Sequence, residues 1–243
     1  MAELALYQIL LANLVVLAGA CLQGVVGYGI GTLSAPLLFL ISPVLVPGPL
    51  TLNATLLTVM MLVRNRMAVR VREVRLAIGG GVVGTCLAAA TLMAISPRGF
   101  ELIFGVLILV AVGLSVAGWR PRLSGRSSVL AGMASTFMGT ITAVGGPPIA
   151  MIYQNERGPL VRANMSAFFL FASLLSLSAL AFSGYLGARE WLLFLVTFPG
   201  VIAGFLLSAH FVGRIDGERL RGLILGIAGL AGAAALVRGL LSL

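Results

Sequence analysis

The chain has 243 residues, of which 60% are hydrophobic and 9% are charged, and its mean hydropathy is +1.11. These values lie far outside the soluble globular range and are typical of polytopic membrane proteins. The basic residues behind the net charge of +9 are all arginines. Most of them lie in short loops between apolar runs, a pattern that reports membrane topology and argues against nucleic-acid binding.

Membrane spans are expected where apolar runs reach roughly 17 to 25 residues, the length that crosses the hydrocarbon core. The first run follows Glu3 with no basic residue before it, so we predict that it is retained and is not a cleaved signal. Residues 24–63 and 127–155 are equally apolar but contain glycine and proline. The runs that qualify by length are 4–23, 76–95, 102–118, 163–184, 191–212 and 222–237.

The two halves of the chain resemble each other. The stretch GYGIGTLSAPLLFL at 27–40 parallels GTITAVGGPPIAMI at 139–152, since each is a glycine cluster followed by proline and an aliphatic run. PGPLTLNAT at 47–55 parallels RGPLVRANMS at 157–166, since each places an asparagine shortly after Gly-Pro-Leu. The pattern predicts two copies of one structural unit.

The placement of arginines predicts how the two copies are oriented. Arginines accumulate in cytoplasmic loops, so the basic loop at 64–75 is expected inside. If 127–155 enters the membrane and returns as a hairpin, only Arg98, Arg189 and Arg238 fall outside. This distribution fits the preference of arginine for the cytoplasmic side better than a single crossing of 127–155 does. The segment is also too short for two full helices of about 20 residues each. The same treatment of 5–47 places the N-terminus outside, so the halves have opposite orientations.

The predicted fold is therefore all-α, a polytopic helical membrane protein with two inverted repeats. Each repeat has a re-entrant hairpin broken by Gly and Pro, followed by three transmembrane helices, as in many secondary transporters. The first repeat, 1–118, comprises the hairpin 5–47 and the helices 48–63, 76–96 and 100–118. After a cytoplasmic linker at 119–126, the second repeat, 127–243, comprises the hairpin 127–155 and the helices 162–184, 190–212 and 218–241.

The helix breaks are the predicted substrate site. Non-helical backbone at membrane depth is tolerated only in a cavity or a tight helix contact. A helix that starts after Pro147 and Pro148 presents free N–H groups and a positive dipole end, which suit an anion. The same holds for the glycines before Pro36, and nearby hydroxyls and amides add donors. The predicted substrate-binding residues are Gly27, Gly29, Gly31, Thr32, Ser34, Pro36, Asn53, Gly139, Thr140, Thr142, Gly145, Gly146, Pro147, Pro148 and Asn164.

Other features favour structural roles. Because no Lys or Arg lies deep in a span, the anion is expected to be held weakly by neutral donors and dipoles. Cys21 and Cys86 are predicted to pack between helices, and the single His210 to lie at the membrane interface. We predict close helix packing at the glycine pairs Gly80 and Gly84, Gly200 and Gly204, and Gly222 and Gly226.

The two glycine-proline stretches, GYGIGTLSAPLL and GTITAVGGPPIAM, resemble the signatures of the TauE/SafE family, the sulfite exporter group of small bacterial membrane permeases. The first stretch departs from the common run of glycines, because Tyr28 and Ile30 are interleaved. The resemblance implies a multi-pass protein of the bacterial inner membrane. It also implies transport of small anions such as sulfite, thiosulfate or organosulfonates, with functional positions at 27–36 and 139–148.

The predicted function is a carrier of small, sulfur-containing anions, bound between the two breaks near the bilayer midplane. A passive anion channel, a carrier of small carboxylates and a structural membrane subunit remain open alternatives. No enzyme, metal site or cofactor is predicted, because the seven acids lie in loops or at span ends. The only candidates for proton coupling are Glu101, Glu156 and His210, so transport driven by potential and anion gradient is favoured. The expected partners are the anion and the lipid bilayer, with a homo-oligomer left open.

Overall fold

The computed structural model describes residues 4–65, 71–117, 121–122, 124–153, 159–211 and 217–241. All regular secondary structure in these ranges is helical, which confirms the predicted fold class, and six helices are long and apolar enough to cross a membrane. A short 3-10 helix, Pro43–Leu45, precedes α3. The α-helices are α1 (Leu6–Val26), α2 (Ile30–Ile41), α3 (Gly48–Asn65), α4 (Val71–Ala94), α5 (Pro97–Val116), α6 (Gly125–Thr142), α7 (Gly146–Ile152), α8 (Pro159–Phe182), α9 (Ala188–Phe211) and α10 (Gly217–Leu241).

Helices α1 and α2 form an antiparallel hairpin. The Gln8 amide donates to the Ile41 carbonyl at one end (3.2 Å), and the Ser34 hydroxyl donates to the Val15 carbonyl farther along (3.1 Å). Helix α1 has 21 residues, about 31 Å at 1.5 Å per residue, and is long enough to cross a bilayer by itself. Its last turn lies beside Ser208 near the end of α9. The tip of the hairpin therefore lies well beyond the midpoint of α9.

The packing of the two halves repeats. If each helix of α1–α5 is matched in order with one of α6–α10, the contact of α1 with α9 corresponds to the contact of α6 with α4. Both contacts are extensive. The same matching leaves the pairs α3 with α8 and α5 with α10 unchanged. The division of the chain into inverted repeats, and the linker at 119–126, stay predictions. Residues 154–155 at the end of the predicted second hairpin, and 156–158 after it, lie outside the described residues.

The ends of the helices fall into two groups. At one end, α3 and α9 finish and α4, α6 and α8 begin, and we call this the arginine-rich end because Arg64, Arg75, Arg126 and Arg162 lie there. At the opposite end, Arg238 of α10 pairs with Glu101 of α5 at 3.9 Å, and both α5 and α9 begin. This opposite end therefore carries the three arginines that the sequence predicts on the outer side of the membrane.

Close backbone contact joins α4 to α6 and α1 to α9. A Cβ atom added at Gly80 would lie 2.8 Å from the Val129 carbonyl carbon, and one added at Gly200 would lie 2.5 Å from the Asn13 carbonyl oxygen. Gly84 and Gly204 make the same kind of contact, so the packing predicted for these two pairs is confirmed. Gly222 and Gly226 differ, because none of the described atoms lies within 4 Å of a Cβ added there.

The neighbouring glycines of α4 allow a matched test of this packing. We predict that Gly80→Ala destabilises the protein by about 1–3 kcal/mol, because the new methyl group would force α4 away from the α6 backbone. Gly79→Ala is the control, since a Cβ at that position meets nothing among the described atoms. Thermal unfolding in detergent measures both variants. Equal melting temperatures would contradict the close α4–α6 contact.

The orientation of the helix ends can be tested by labelling. In a chain without Cys21 and Cys86, we expect Arg126→Cys to react with an impermeant thiol reagent only from the cytoplasmic side. Arg98→Cys should react only from outside, because both residues are exposed and lie at opposite ends of the bundle. Reaction of both cysteines from the same side would overturn the arrangement of the helix ends.

Candidate functional site

The two helix breaks meet inside the bundle. Gly31, just after the first break, lies directly against the carbonyl group of Ala143 in the second break. Gly146, just after the second break, packs against the ring of Tyr28 in the first, where an added Cβ would lie 2.8 Å from Cδ2. The backbone groups that each break leaves outside a helix are thus covered by the other break and kept away from lipid, as a membrane interior requires.

A cavity of about 70 Å³ lies between the breaks, level with the central parts of α3 and α8. At about 10–15 Å³ for each water, it has room for a few waters or one small anion. Its lining is uncharged at neutral pH and comes from both hairpins and both central helices. The lining residues are Gln23, Tyr28, Gly29, Ile30, Gly31, Thr32, Thr51, Ala54, Thr58, Ser135, Thr136, Gly139, Ala143, Gly145, Gly146, Phe169, Ala172, Ser173 and Ser176.

The first break is a turn that depends on glycine. Gly27 ends α1 with φ +104°, and its N–H donates to the Gln23 carbonyl at 2.8 Å. Gly29 precedes α2 with φ +142°. Both angles lie in the region that glycine adopts without steric cost. Tyr28 is the residue between them, so the interleaved sequence GYG places an aromatic ring at the tip of the hairpin and against the cavity.

The N-terminus of α2 borders the cavity and carries backbone donors. The side-chain oxygen of Gln23 accepts a hydrogen bond from the Ile30 N–H at 3.1 Å, and the Leu33 N–H donates to the Gly29 carbonyl at 3.0 Å. The N–H groups of Gly31 and Thr32 lie between them, at positions that an α-helix leaves without an intrahelical partner. With 12 residues, α2 also brings the positive end of its dipole to this point.

The hydroxyl of Thr32 lacks a partner where one is expected. Thr32 is 5% exposed and lines the cavity, and its Oγ1 makes no hydrogen bond to any described residue. Leaving a buried polar atom unpaired costs about 1–3 kcal/mol, and such atoms are rare in folded proteins. A hydroxyl next to the N-terminus of α2 can donate to the same anion that the backbone N–H groups attract.

Most other hydroxyls around the cavity already donate elsewhere. Thr51 donates to the carbonyl of Pro47, just before α3, at 2.9 Å, and Thr58 and Ser173 each donate to a carbonyl of their own helix, at 2.6 and 3.0 Å. Ser135 donates across the second break to the carbonyl of Gly145. Because their protons are used, these side chains present lone pairs to the cavity. The donors for an anion are therefore concentrated at the first break.

The second break offers fewer donors than its sequence indicates. Helix α7 has only seven residues, and its second and third residues are Pro147 and Pro148, which have no N–H. Gly146 supplies the one backbone donor in the first three residues of this helix. The segment instead forms a wall of the cavity, where Gly145 and Gly146 allow close approach to Ser135 and Tyr28.

The predicted site residues divide into two groups. Gly29, Gly31, Thr32, Gly139, Gly145 and Gly146 line the cavity. Asn53 instead donates to Thr197 at 2.7 Å, and Ser34 and Thr142 donate to backbone carbonyls within the hairpins. The predicted residues outside the lining are Gly27, Ser34, Pro36, Asn53, Thr140, Thr142, Pro147, Pro148 and Asn164.

Several lining residues were not predicted. Gln23 is a polar side chain within the apolar sequence of α1, a signal that indicates function in a span. Phe169, Ala172, Ser173 and Ser176 repeat at the spacing of one helix face, and Ser176 shares a hydrogen bond with Thr140 at 2.7 Å. Small and hydroxylic residues at helical spacing in α8 could have identified this wall.

Two broken helices that meet around a cavity, among helices long enough to span a bilayer, are the arrangement of many multi-pass membrane transport proteins. The chain matches the family model for the sulfite exporter TauE/SafE over residues 11–235. It therefore belongs to the TauE/SafE family, a family of membrane transporters for sulfur-containing anions, as the two signatures predicted. No curated protein and no solved structure shows a significant match to it.

The contact between the two breaks gives a prediction of stability. We expect Gly31→Ala to destabilise the protein by about 1–3 kcal/mol. The added methyl group would lie 2.9 Å from the carbonyl carbon of Ala143 and 3.2 Å from Cα of Val144, which are backbone atoms that cannot rotate away. Gly113→Ala in α5 is the control, because nothing described lies near it. If thermal unfolding gives the same midpoint for both variants, the breaks do not touch at Gly31.

Proposed function

We propose that this protein is a carrier that moves a small sulfur oxyanion, such as sulfite or thiosulfate, across a bacterial inner membrane. The anion binds in the cavity between the two breaks, held by the N-terminus of α2. The family supports transport of sulfur-containing anions in general. The choice of a small oxyanion, and of a carrier instead of a channel, is our proposal.

The observation that carries the proposal is the unpaired hydroxyl of Thr32 beside the N-terminus of α2. Thr32 Oγ1 and the N–H groups of Gly31 and Thr32 belong to one turn of helix next to a cavity sized for a small anion. The amide of Gln23 adds a further donor, because its oxygen is held by the Ile30 N–H and its nitrogen is left for the cavity. Trigonal and tetrahedral oxyanions have several acceptor atoms to match such a cluster.

The uncharged lining supports reversible binding. A full negative charge would be met by partial charges only, roughly +0.5 from the helix dipole and neutral hydrogen-bond donors. An arginine or lysine in the lining would hold the anion more strongly and slow its release. This arrangement suits a carrier that must release its substrate at each cycle. Carboxylates of similar size could use the same donors, which makes them the main competing substrates.

The Thr32 hydroxyl gives a direct test of the site. We predict that Thr32→Val weakens thiosulfate binding about tenfold or more, because a hydrogen bond to a charged group contributes about 1.5–3 kcal/mol. The melting temperature without anion should be unchanged or higher, since the hydroxyl makes no bond in the free protein. Thiosulfate titration of the melting temperature measures both quantities in one experiment.

Thr91→Val is the matched control for that substitution. Thr91 lies on α4 outside the cavity, and its hydroxyl donates to the Leu87 carbonyl at 2.8 Å. The control should bind thiosulfate as the unaltered protein does. If Thr32→Val and Thr91→Val bind thiosulfate with equal affinity, the anion site is not at the N-terminus of α2.

Counterflow separates a carrier from a channel. Proteoliposomes preloaded with unlabelled thiosulfate should accumulate labelled thiosulfate transiently, because a carrier exchanges one anion for another. A passive pore gives no such overshoot. Competition by sulfite, sulfoacetate and small carboxylates in the same assay ranks the substrates, and stronger competition by carboxylates than by sulfite would replace the proposed substrate class.

A further inference from the structure

Two arginines lie together beside the tip of the first hairpin. Arg64, in the last turn of α3, donates to the Gly24 carbonyl at 2.9 Å and to the Ser208 hydroxyl at 3.2 Å, and its guanidinium lies 4.5 Å from the centre of the Phe205 ring. Arg162, in the first turn of α8, packs its side chain against Gly27. Because Gly24 and Gly27 are three residues apart at the end of α1, the two positive charges are neighbours and repel each other.

The pair lies at the arginine-rich end of the bundle, to one side of the cavity. Thr58 on α3 and Phe169 on α8 line the cavity, and the two arginines are six and seven residues nearer to that end of the same helices. At 1.5 Å per residue, each arginine is about 10 Å from the cavity along the helix axis. This distance is about one Debye length at 0.1 M salt, so the charges act on an anion approaching the cavity.

Capping of α1 explains only part of this arrangement. The Gly24 carbonyl belongs to the last turn of α1, where a cation is favourable for the dipole, and Arg64 satisfies it. Arg64 thereby uses two of its five N–H donors. Among the described residues, the Arg162 guanidinium has no carboxylate partner and no hydrogen bond, although it brings a second positive charge to the same place. An anion between the two arginines would offset their repulsion.

Among the described residues, the opposite end of the bundle has a smaller excess of positive charge. A larger cavity of about 300 Å³ opens there, and Glu101, Arg189 and Glu190 are among its lining residues. Glu101 pairs with Arg238, and the carboxylate of Glu190 accepts a hydrogen bond from the Gly187 N–H at 2.7 Å. Among the described side chains, two carboxylates offset two of the three arginines at this end, whereas no described carboxylate offsets the arginines of the arginine-rich end. The electrostatic attraction for anions therefore differs between the two ends.

We propose that Arg64 and Arg162 form a second, recruiting site for the transported oxyanion, in series with the cavity and on its arginine-rich side. This inference rests on the proposed function. The pair raises the local concentration of the anion at one end of the transport path. From there the anion moves to the cavity, where the neutral donors of α2 bind it. Capture from the arginine-rich end is therefore more efficient than capture from the opposite end, and it weakens as salt screens the charges.

The test measures KM for labelled thiosulfate in inverted and right-side-out vesicles, with the orientation established by cysteine labelling. At low ionic strength, Arg162→Gln should raise KM at the arginine-rich end about three- to tenfold and leave kcat and the KM at the opposite end unchanged. Arg162→Lys should keep the low KM, because the charge acts at a distance. Arg98→Gln, at the opposite end, is the control for loss of one positive charge.

Salt dependence supplies a second measurement that needs no variant. In the unaltered protein, KM at the arginine-rich end should rise with inert salt more steeply than KM at the opposite end. Equal salt dependence at both ends, or an unchanged KM in folded Arg162→Gln, would overturn the recruiting site while leaving the cavity intact. Absence of thiosulfate and sulfite transport by the unaltered protein would instead overturn the proposed function, and the recruiting site with it.

Discussion

A polar backbone group exposed to lipid costs several kcal/mol, and the rest of this structure depends on that constraint. Each half of the chain interrupts a helix at membrane depth, so each break needs a protein surface that covers it. The two breaks cover each other, with Gly31 against the Ala143 carbonyl and Gly146 against Tyr28. The cavity is the space left where this mutual coverage is incomplete, which is why it lies at the junction of the two halves.

Small residues hold the two hairpins at the depth where their tips can meet. Helix α1 runs alongside α9, and α6 runs alongside α4, each pair in backbone contact through glycines such as Gly80 and Gly200. In lipid, such close contacts replace the hydrophobic effect as the force that joins helices. Each first arm is thus fixed against a full-length helix, and the short second arm follows from the turn. The same kind of contact in both halves explains why the two tips converge.

The positions of the breaks could be predicted from sequence, because glycine and proline act through local backbone geometry. Gly29, Gly31, Gly145 and Gly146 were predicted for this reason, and they line the cavity. Polar side chains were harder to assign, since their role depends on which neighbour takes the proton. Ser34 and Thr142 donate to nearby carbonyls within the hairpins, and Asn53 is bound to Thr197 across the bundle. Gln23 stands out in the sequence as a polar residue in an apolar span, but its role depends on the turn that brings its side-chain oxygen to the Ile30 N–H.

The two similar breaks therefore present different chemistry to the cavity. The first gives a 12-residue helix with free backbone donors and an unpaired hydroxyl, whereas the second gives a seven-residue helix whose prolines remove two donors. An anion held mainly by the first break is bound to one hairpin and rests against the other. Under the proposed function, release then requires that the second hairpin move away and that water replace the hydrogen bonds between the anion and α2. In this proposal, binding strength depends on the first half of the chain and access on the second, so a change in one need not alter the other.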